Sequence, residues 1–220
     1  MRIIAGRFRG KRLAGFRADI RPTTDRARET LFNVVRDRVP GSVWLDLFTG
    51  SGAVGIEAIS RGARYVIFND RFRESTALVR KNLALCRVEE GFEIHQKDSF
   101  TLLRNLRPPA VDFVFLDPPY KFKRHAKLLE RLSAMPWMRP ESTIVLEVFK
   151  KTPRPETSPR ITWTRTVRVG DNKLLFYAIP EEPRDPGSGR PDETGSAVDP
   201  EVVTSSFDPG SRTRDRGSWP

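Results

Sequence analysis

Asp117, Pro118, Pro119 and Tyr120 close an apolar run, V-D-F-V-F-L-D-P-P-Y, that starts at Val111. Proline fixes its own φ and restricts the residue before it, so Asp117 and Pro118 are held extended. An ionised carboxylate and the two proline carbonyls are acceptors only, and Tyr120 adds an aromatic face. Rigid acceptors beside an aromatic plane suit a planar group that donates through an NH₂, such as the exocyclic amine of a nucleobase. That amine is a poor nucleophile because its lone pair is delocalised into the ring. Accepting hydrogen bonds from both N–H groups favours a more pyramidal nitrogen with its lone pair directed at an incoming carbon. The remaining demand is placement in line, an effect of proximity and orientation. Tyr120 would stack on a base displaced from its strand or loop, a contact of roughly 1–3 kcal/mol. The plainer alternative is a turn that only ends a strand.

A second constellation, D-L-F-T-G-S-G-A-V-G, lies upstream. Gly50, Gly52 and Gly55 fit G-x-G-x-x-G between an apolar run and a helical pattern. Glycines let backbone approach a ligand closely, and the following helix offers free N–H donors. Thr49, Gly50, Ser51 and Gly52 are therefore candidate cofactor contacts. The pattern suits a nicotinamide or flavin dinucleotide, the amino-acid end of S-adenosylmethionine, or a tight turn with no ligand.

Three acids bear on that choice. Asp46 falls inside an apolar strand, where a carboxylate needs a partner; it either orients the turn or faces a cationic amino group. Asp70 is expected to end the second strand, where an acid holds ribose hydroxyls. Asp98 is expected to end the third, placed either to accept from an adenine amine or to cap the next helix. A hydride-transfer enzyme also needs an acid or base for the substrate oxygen. His95 and His125 are read as lying away from strand ends, Cys86 reads as packing, and Cys/His metal spacing is missing.

The elements that must position these residues alternate. Apolar runs at 43–48, 65–70, 92–98, 112–117 and 143–149 read as strands. Helical patterns at 53–62, 73–86 and 123–135 separate them, the first closing on Gly62 as a cap. This alternation implies an α/β fold with parallel strands. The runs at 161–169 and 173–179 flank G-D-N and read as an antiparallel hairpin at one edge. The N-terminal "RIIAGRFRGKRL" reads as a short basic hairpin. A helix follows over 21–39, capped by Thr24 or Asp25, with Ala27, Leu31, Val34 and Val35 inward and Arg26, Arg28, Arg36 and Arg38 outward.

The chain carries a formal net charge of +11 over 220 residues and one cysteine. Residues 1–40 hold eleven Arg/Lys against four Asp/Glu, and residues 181–220 hold five against nine. A basic body with an acidic end suggests a polyanionic partner. A single cysteine excludes an intramolecular disulfide and suits a cytoplasmic setting. The apolar runs are too short to span a bilayer, and the basic start lacks a signal-peptide core. The expected organisation is a basic hairpin and helix over 1–40, a catalytic domain over 41–180, and a disordered Pro/Gly/Ser/Asp-rich tail over 181–220.

Together "RPTTDRARETLFN", "LDLFTGSGAVGIEAISRGA" and "FLDPPY" resemble the bacterial 16S ribosomal RNA guanine-N2 methyltransferases, over most of residues 1–180. The resemblance implies a Rossmann-like class I methyltransferase fold, a mostly parallel sheet of seven strands with the last antiparallel and helices on both faces. It implies S-adenosylmethionine as cofactor, with Gly50 and Gly52 in its loop, Asp98 on the adenine side and Asp117 to Tyr120 as the catalytic motif. Where the family usually has Glu after the second strand, this chain has Asp70, a shorter arm. The implied partner is 16S ribosomal RNA in the small subunit or an assembly intermediate; the short apolar runs predict no membrane, and with no exposed apolar helix face standing out a monomer is expected. Arg7, Arg9, Lys11, Arg12 and Arg21 are the expected phosphate contacts, and Thr23 and Thr24 the pocket mouth. A DNA or RNA adenine-N6 methyltransferase shares D-P-P-Y and is the enzymatic alternative; a non-catalytic RNA-binding module is the other.

Overall fold

The computed structural model describes residues 1–15 and 25–180. The tail expected to be disordered, together with Arg21, Thr23 and Thr24, lies outside the described residues. The chain alternates as read. The strands are β1 (Val43–Asp46), β2 (Tyr65–Asn69), β3 (Phe92–His95), β4 (Val111–Leu116), β5 (Met138–Phe149), β6 (Thr162–Val169) and β7 (Asn172–Ala178). The helices are α1 (Asp25–Val35), α2 (Ala53–Ser60), α3 (Arg73–Cys86), α4 (Ser99–Asn105) and α5 (His125–Ser133). The sheet order is β3-β2-β1-β4-β5-β7-β6. Neighbours from β3 through β5 are parallel, and β7 runs antiparallel to both β5 and β6. The hairpin therefore does more than decorate an edge: its second strand inserts between β5 and β6. This is the Rossmann-like class I arrangement.

Chain order reverses at β1, whose neighbours are β2 and β4. In open α/β sheets the crevice at the carboxyl ends of such strands is where ligands bind. The β1 and β4 ends stay level there, since Leu47 N–H donates to the Phe115 carbonyl at 3.1 Å.

Two apolar layers flank the sheet. One packs α1, α2 and α3 around a stack in which Trp44 lies 5.3 Å from Phe32 and 4.5 Å from Phe113. The other packs α4 and α5 through Leu102, Leu103, Leu128, Leu129 and Leu132. Helix α2 is buried on every side, as its apolar sequence requires. Its outer cover is the N-terminal arm, a minimal hairpin joined by an Arg2–Arg12 bridge. Glu57, the one charged residue of α2, is fully buried and accepts from Ile4 N–H (2.8 Å) and Ala5 N–H (3.0 Å) while pairing with Arg61 (2.8 Å).

Three readings are corrected. The front helix ends at Val35 and gives way to a 3₁₀ turn at Arg36–Arg38, so it stops short of the position 39 that the periodicity suggested. Arg28 faces inward, fully buried, with Nη2 donating to the Arg2 carbonyl (2.6 Å) and to Asp25 (2.9 Å). Burial lowers its pKa from the ordinary guanidinium value. Val34, read as inward, is only partly buried.

Gly55 supplies the closest helix–strand approach. A Cβ there would lie 2.3 Å from the Phe68 ring. Gly55→Ala is expected to lower unfolding free energy by roughly 1–3 kcal/mol through overpacking, checked by urea denaturation of both proteins. An unchanged midpoint would show that Phe68 yields freely.

Candidate active site

The β1–α2 turn is built by side-chain oxygens that satisfy backbone donors. Asp46 is fully buried, and its Oδ2 accepts from Thr49 Oγ1 (2.9 Å) and Gly55 N–H (3.2 Å). Gly50 and Gly52 have φ of 52° and 79°, the left-handed region that favours glycine. Asp70 follows β2, accepting from Gly50 N–H through Oδ2 (3.0 Å) and from Phe72 N–H through Oδ1 (3.0 Å). Asp98 lies three residues past the end of β3 and caps α4, its Oδ1 accepting from Phe100 N–H (3.0 Å) and Thr101 N–H (3.3 Å). Both roles considered for Asp98 are compatible, since it also lines the site cavity.

The D-P-P-Y corner follows β4. Pro119 carbonyl accepts from Phe122 N–H at 2.7 Å, closing a turn with Tyr120 at its apex, 68% exposed. The Pro118 carbonyl takes no hydrogen bond among the described residues. Phe122 braces the turn from behind, 5.5 Å from Phe48 and 5.2 Å from His125, with Arg124 over the Phe100 ring at 4.5 Å.

Glycine turn and proline corner open on one cavity of about 810 Å³. Asp46, Thr49, Gly50, Ser51, Asp70, Asp98, Asp117, Pro118, Pro119 and Tyr120 all line it. Gly52 does not; its φ and its contact with Val79, where a Cβ would come within 3.1 Å, give it a shaping part. A cavity of this size is within the range of small-molecule sites, and its acceptors and backbone donors fit a nucleoside bearing an amino acid.

Burial pushes the Asp46 carboxyl up to about 7; the Thr49 and Gly55 donors oppose this, and the charges of Asp117 and Asp70 add to it. Burial also lowers the His125 pKa.

Several site residues were not read from sequence. Asn69, buried before Asp70, donates through Nδ2 to the Leu47 and Lys97 carbonyls (both 3.1 Å) and accepts from Lys97 N–H (3.3 Å), tying three strand ends together. Glu147 lies two residues before the end of β5, one register step beyond the Leu116–Leu146 pair, and accepts from Asn172 Nδ2 at 2.5 Å. It is buried and lines the cavity. Its signal was present, an acid inside the apolar T-I-V-L-E-V-F, the same kind that marked Asp46. The histidine reading is corrected: His125 opens α5 and lines the cavity, and His95 is the last residue of β3.

Arg7, Arg9, Lys11 and Arg12 do not line the cavity. Arg7 N–H donates to the carbonyl of Ser60, the last residue of α2 (2.8 Å), and Phe8 N–H to its Oγ (3.0 Å). The hairpin tip therefore sits at the far end of α2 from the glycine turn, roughly 10 Å along the axis at the rise of a helix.

Comparison with known proteins adds relatives. A family model described as Conserved hypothetical protein 95 matches residues 1–178. The ribosomal RNA small subunit methyltransferase D of Haemophilus influenzae is 36% identical over 156 residues, 70% of this chain and 81% of that protein. A solved structure of a candidate methyltransferase, YhhF of Escherichia coli, superposes with a TM-score of 0.73 at 28% identity, covering 82% of this chain and 98% of that one. An RNA methyltransferase of Salinibacter ruber, solved in complex with S-adenosyl-L-homocysteine, shares the fold at a TM-score of 0.58 and 21% identity, over 75% of this chain and 98% of that one.

The Asp46 shift has a sign. A carboxyl whose folded pKa is raised binds more protons folded than unfolded between about pH 4 and 7, so its contribution to stability falls as pH rises through that window and is level above it. Asp46→Asn should remove this slope, seen as a stability difference from wild type that changes between pH 5 and 8 in denaturation curves. A difference independent of pH would place Asp46 fully ionised throughout.

Proposed function

The chain belongs to the Conserved hypothetical protein 95 family, and from that membership we propose that it methylates ribosomal RNA of the small subunit, using S-adenosylmethionine, at the exocyclic N2 of a guanine. The single observation that carries this reading is the shared cavity: a proline-fixed acceptor corner and a glycine turn at adjacent strand ends. The name of the Haemophilus influenzae relative supplies the substrate class.

S-adenosylmethionine supplies an electrophilic methyl group on sulfonium sulfur. Asp70 and Asp98 each use lone pairs on backbone N–H groups and keep further acceptor capacity, which suits ribose hydroxyls and an adenine amine. Asp46, when ionised, suits an ammonium group at the turn. On the substrate side, Asp117 and the Pro118 carbonyl accept from the two N–H groups of the guanine amine and turn its lone pair outward. Tyr120, exposed at the apex, stacks on the extruded base. The Pro119–Phe122 turn and the Phe48–Phe122–His125 brace hold the corner before substrate arrives, so little ordering remains for the bound base to offset.

The test uses purified protein with methyl-labelled cofactor on small subunits, assembly intermediates, bare 16S RNA and DNA, followed by nucleoside analysis. Label in N2-methylguanosine of small-subunit RNA is the expected result. Label in N6-methyladenosine, or in DNA, would overturn the guanine assignment.

Asp117→Ala should keep cofactor binding by calorimetry while turnover falls by about 100-fold or more. If both survive, Asp117 does not touch the amine. Tyr120→Ala should raise the RNA KM by about 5- to 100-fold, and Tyr120→Phe should restore it. Equal loss in both variants would exclude stacking.

A further inference from the structure

The cations that border the cavity are not those of the N-terminal arm. Arg154, in the loop between β5 and β6, lines the cavity and lies over the ring of Trp163 at 4.3 Å. Trp163 is 40% exposed. It sits on β6, the edge of the sheet, where a large exposed aromatic is a liability for a strand with an open edge.

Register explains how this ring reaches the surface beside other polar groups. Trp163 pairs with Tyr177 and Arg165 with Phe176, so Thr164 is the extra residue of a bulge. Beyond the bulge, Thr166 pairs with Leu175 and Arg168 with Lys173. Trp163, Thr166, Arg168 and Lys173 therefore share one face of the β6–β7 hairpin. Trp163 Nε1 donates to Thr166 Oγ1 at 3.1 Å, which fixes the ring along that face. Arg165 and Val167 fall on the opposite face, the one that α1 packs against.

The strip descends from the top of the hairpin, where Arg168 and Lys173 stand one register step from Val169 and Asn172, to Trp163. Arg154 both lines the cavity and lies over Trp163, so strip and cavity meet at that residue. Charges alone at this edge would be explained as protection against strand pairing. An exposed indole with a guanidinium over its face is not, because it adds apolar surface to the edge. Interleaved cations and an aromatic plane are what a nucleic-acid strand needs, phosphate contacts with a platform for a base.

We propose that the Arg154–Trp163–Arg168 face of the β6–β7 hairpin is the track that holds the RNA strand flanking the target nucleotide, with a base on Trp163 and phosphates on Arg154, Arg168 and Lys173. This rests on the reading of the protein as an RNA-modifying enzyme. The N-terminal hairpin tip, held at the far end of α2, is then a secondary contact.

The test measures binding of the full chain to labelled small-subunit ribosomal RNA across a salt series, apart from any methylation assay. Trp163→Ala should weaken binding by about 5- to 100-fold. Arg168→Glu should weaken it and reduce the slope of log affinity against log salt by about 1. Arg9→Glu, at the hairpin tip, should change both less, and cofactor affinity should hold in Trp163→Ala and Arg168→Glu. Thermal unfolding of each variant separates lost contact from lost fold, and Arg168→Glu, at an exposed edge position, covers the case in which Trp163→Ala unfolds. If affinity and salt slope are unchanged in Arg168→Glu, or if Arg9→Glu has the larger effect, the track is wrong, whether or not the wild type transfers methyl groups. If the wild type binds no RNA, the track is also wrong. If it binds through this face yet methylates no RNA, the track stands and the proposed activity falls.

Discussion

Parallel strands that stop at a crevice leave backbone N–H groups without ladder partners, and a buried polar group left unpaired is costly. This fold meets that demand with side-chain oxygens. Asp46 takes the Gly55 donor, Asp70 takes Gly50 and Phe72, and Asp98 takes Phe100 and Thr101. Asn69 works in both directions, joining the ends of β1, β2 and the segment after β3. The result is a row of carboxylates on one rim, put there by backbone accounting. Their spare lone pairs then make the rim a site for donors from outside. The acids first fix the rim in shape, and the same groups are the ones the proposed function uses.

That double use explains what could be read from sequence. The glycine turn and D-P-P-Y are local: glycine and proline constrain their own backbones, so their consequences follow from the residues themselves. Acids inside apolar runs were legible for the same reason, because a strand that buries Asp46 must also give it donors. Glu147 obeys that rule equally, but its run T-I-V-L-E-V-F lacks the glycine turn that follows Asp46. Asn69 left a fainter trace, since an amide beside an acid at a strand end reads as turn chemistry. Its two partners, Leu47 and Lys97, follow different strands, β1 and β3, and only the assembled sheet brings them within reach.

Strand order was partly hidden for a similar reason. The pattern at 161–179 specifies a hairpin, but local pairing does not say which of its strands joins the sheet. Insertion of β7 between β5 and β6 is decided by which strand has the apolar face. Leu174, Leu175, Phe176 and Tyr177 are all buried, whereas most of β6 is exposed. Arg28 shows the limit of the helical-face argument. Its position on α1 is dictated by period, but whether that face meets solvent depends on the N-terminal arm, whose Arg2 carbonyl supplies a partner. The arm is itself specified by α2. A helix apolar all round needs an outer cover, and Glu57 draws the arm down by accepting two of its N–H groups.

The arm's docking also separates charge from position. Eleven cations near the N-terminus point to a polyanion, but charge composition carries no direction. Gly6 sits with φ of 79° against the end of α2, where a Cβ would meet the Ser60 carbonyl at 1.9 Å. The chain must turn there, so Arg7 and Arg9 are carried to the end of α2 opposite the glycine turn. A helix C-terminus is a favourable place for cations because of the exposed carbonyls, which gives the tip a structural reason for its charge. The rim cations, by contrast, flank a cavity lined by acids. Basic side chains at the mouth of an acidic interior suit a polyanion whose phosphates would stay outside on Arg and Lys while a donor group with its partial positive charge is drawn in. On the proposed function, the corner at Asp117 would meet the amine with the backbone phosphates held off by that outer ring, so the spatial order of charges would help orient the base alongside the single contacts.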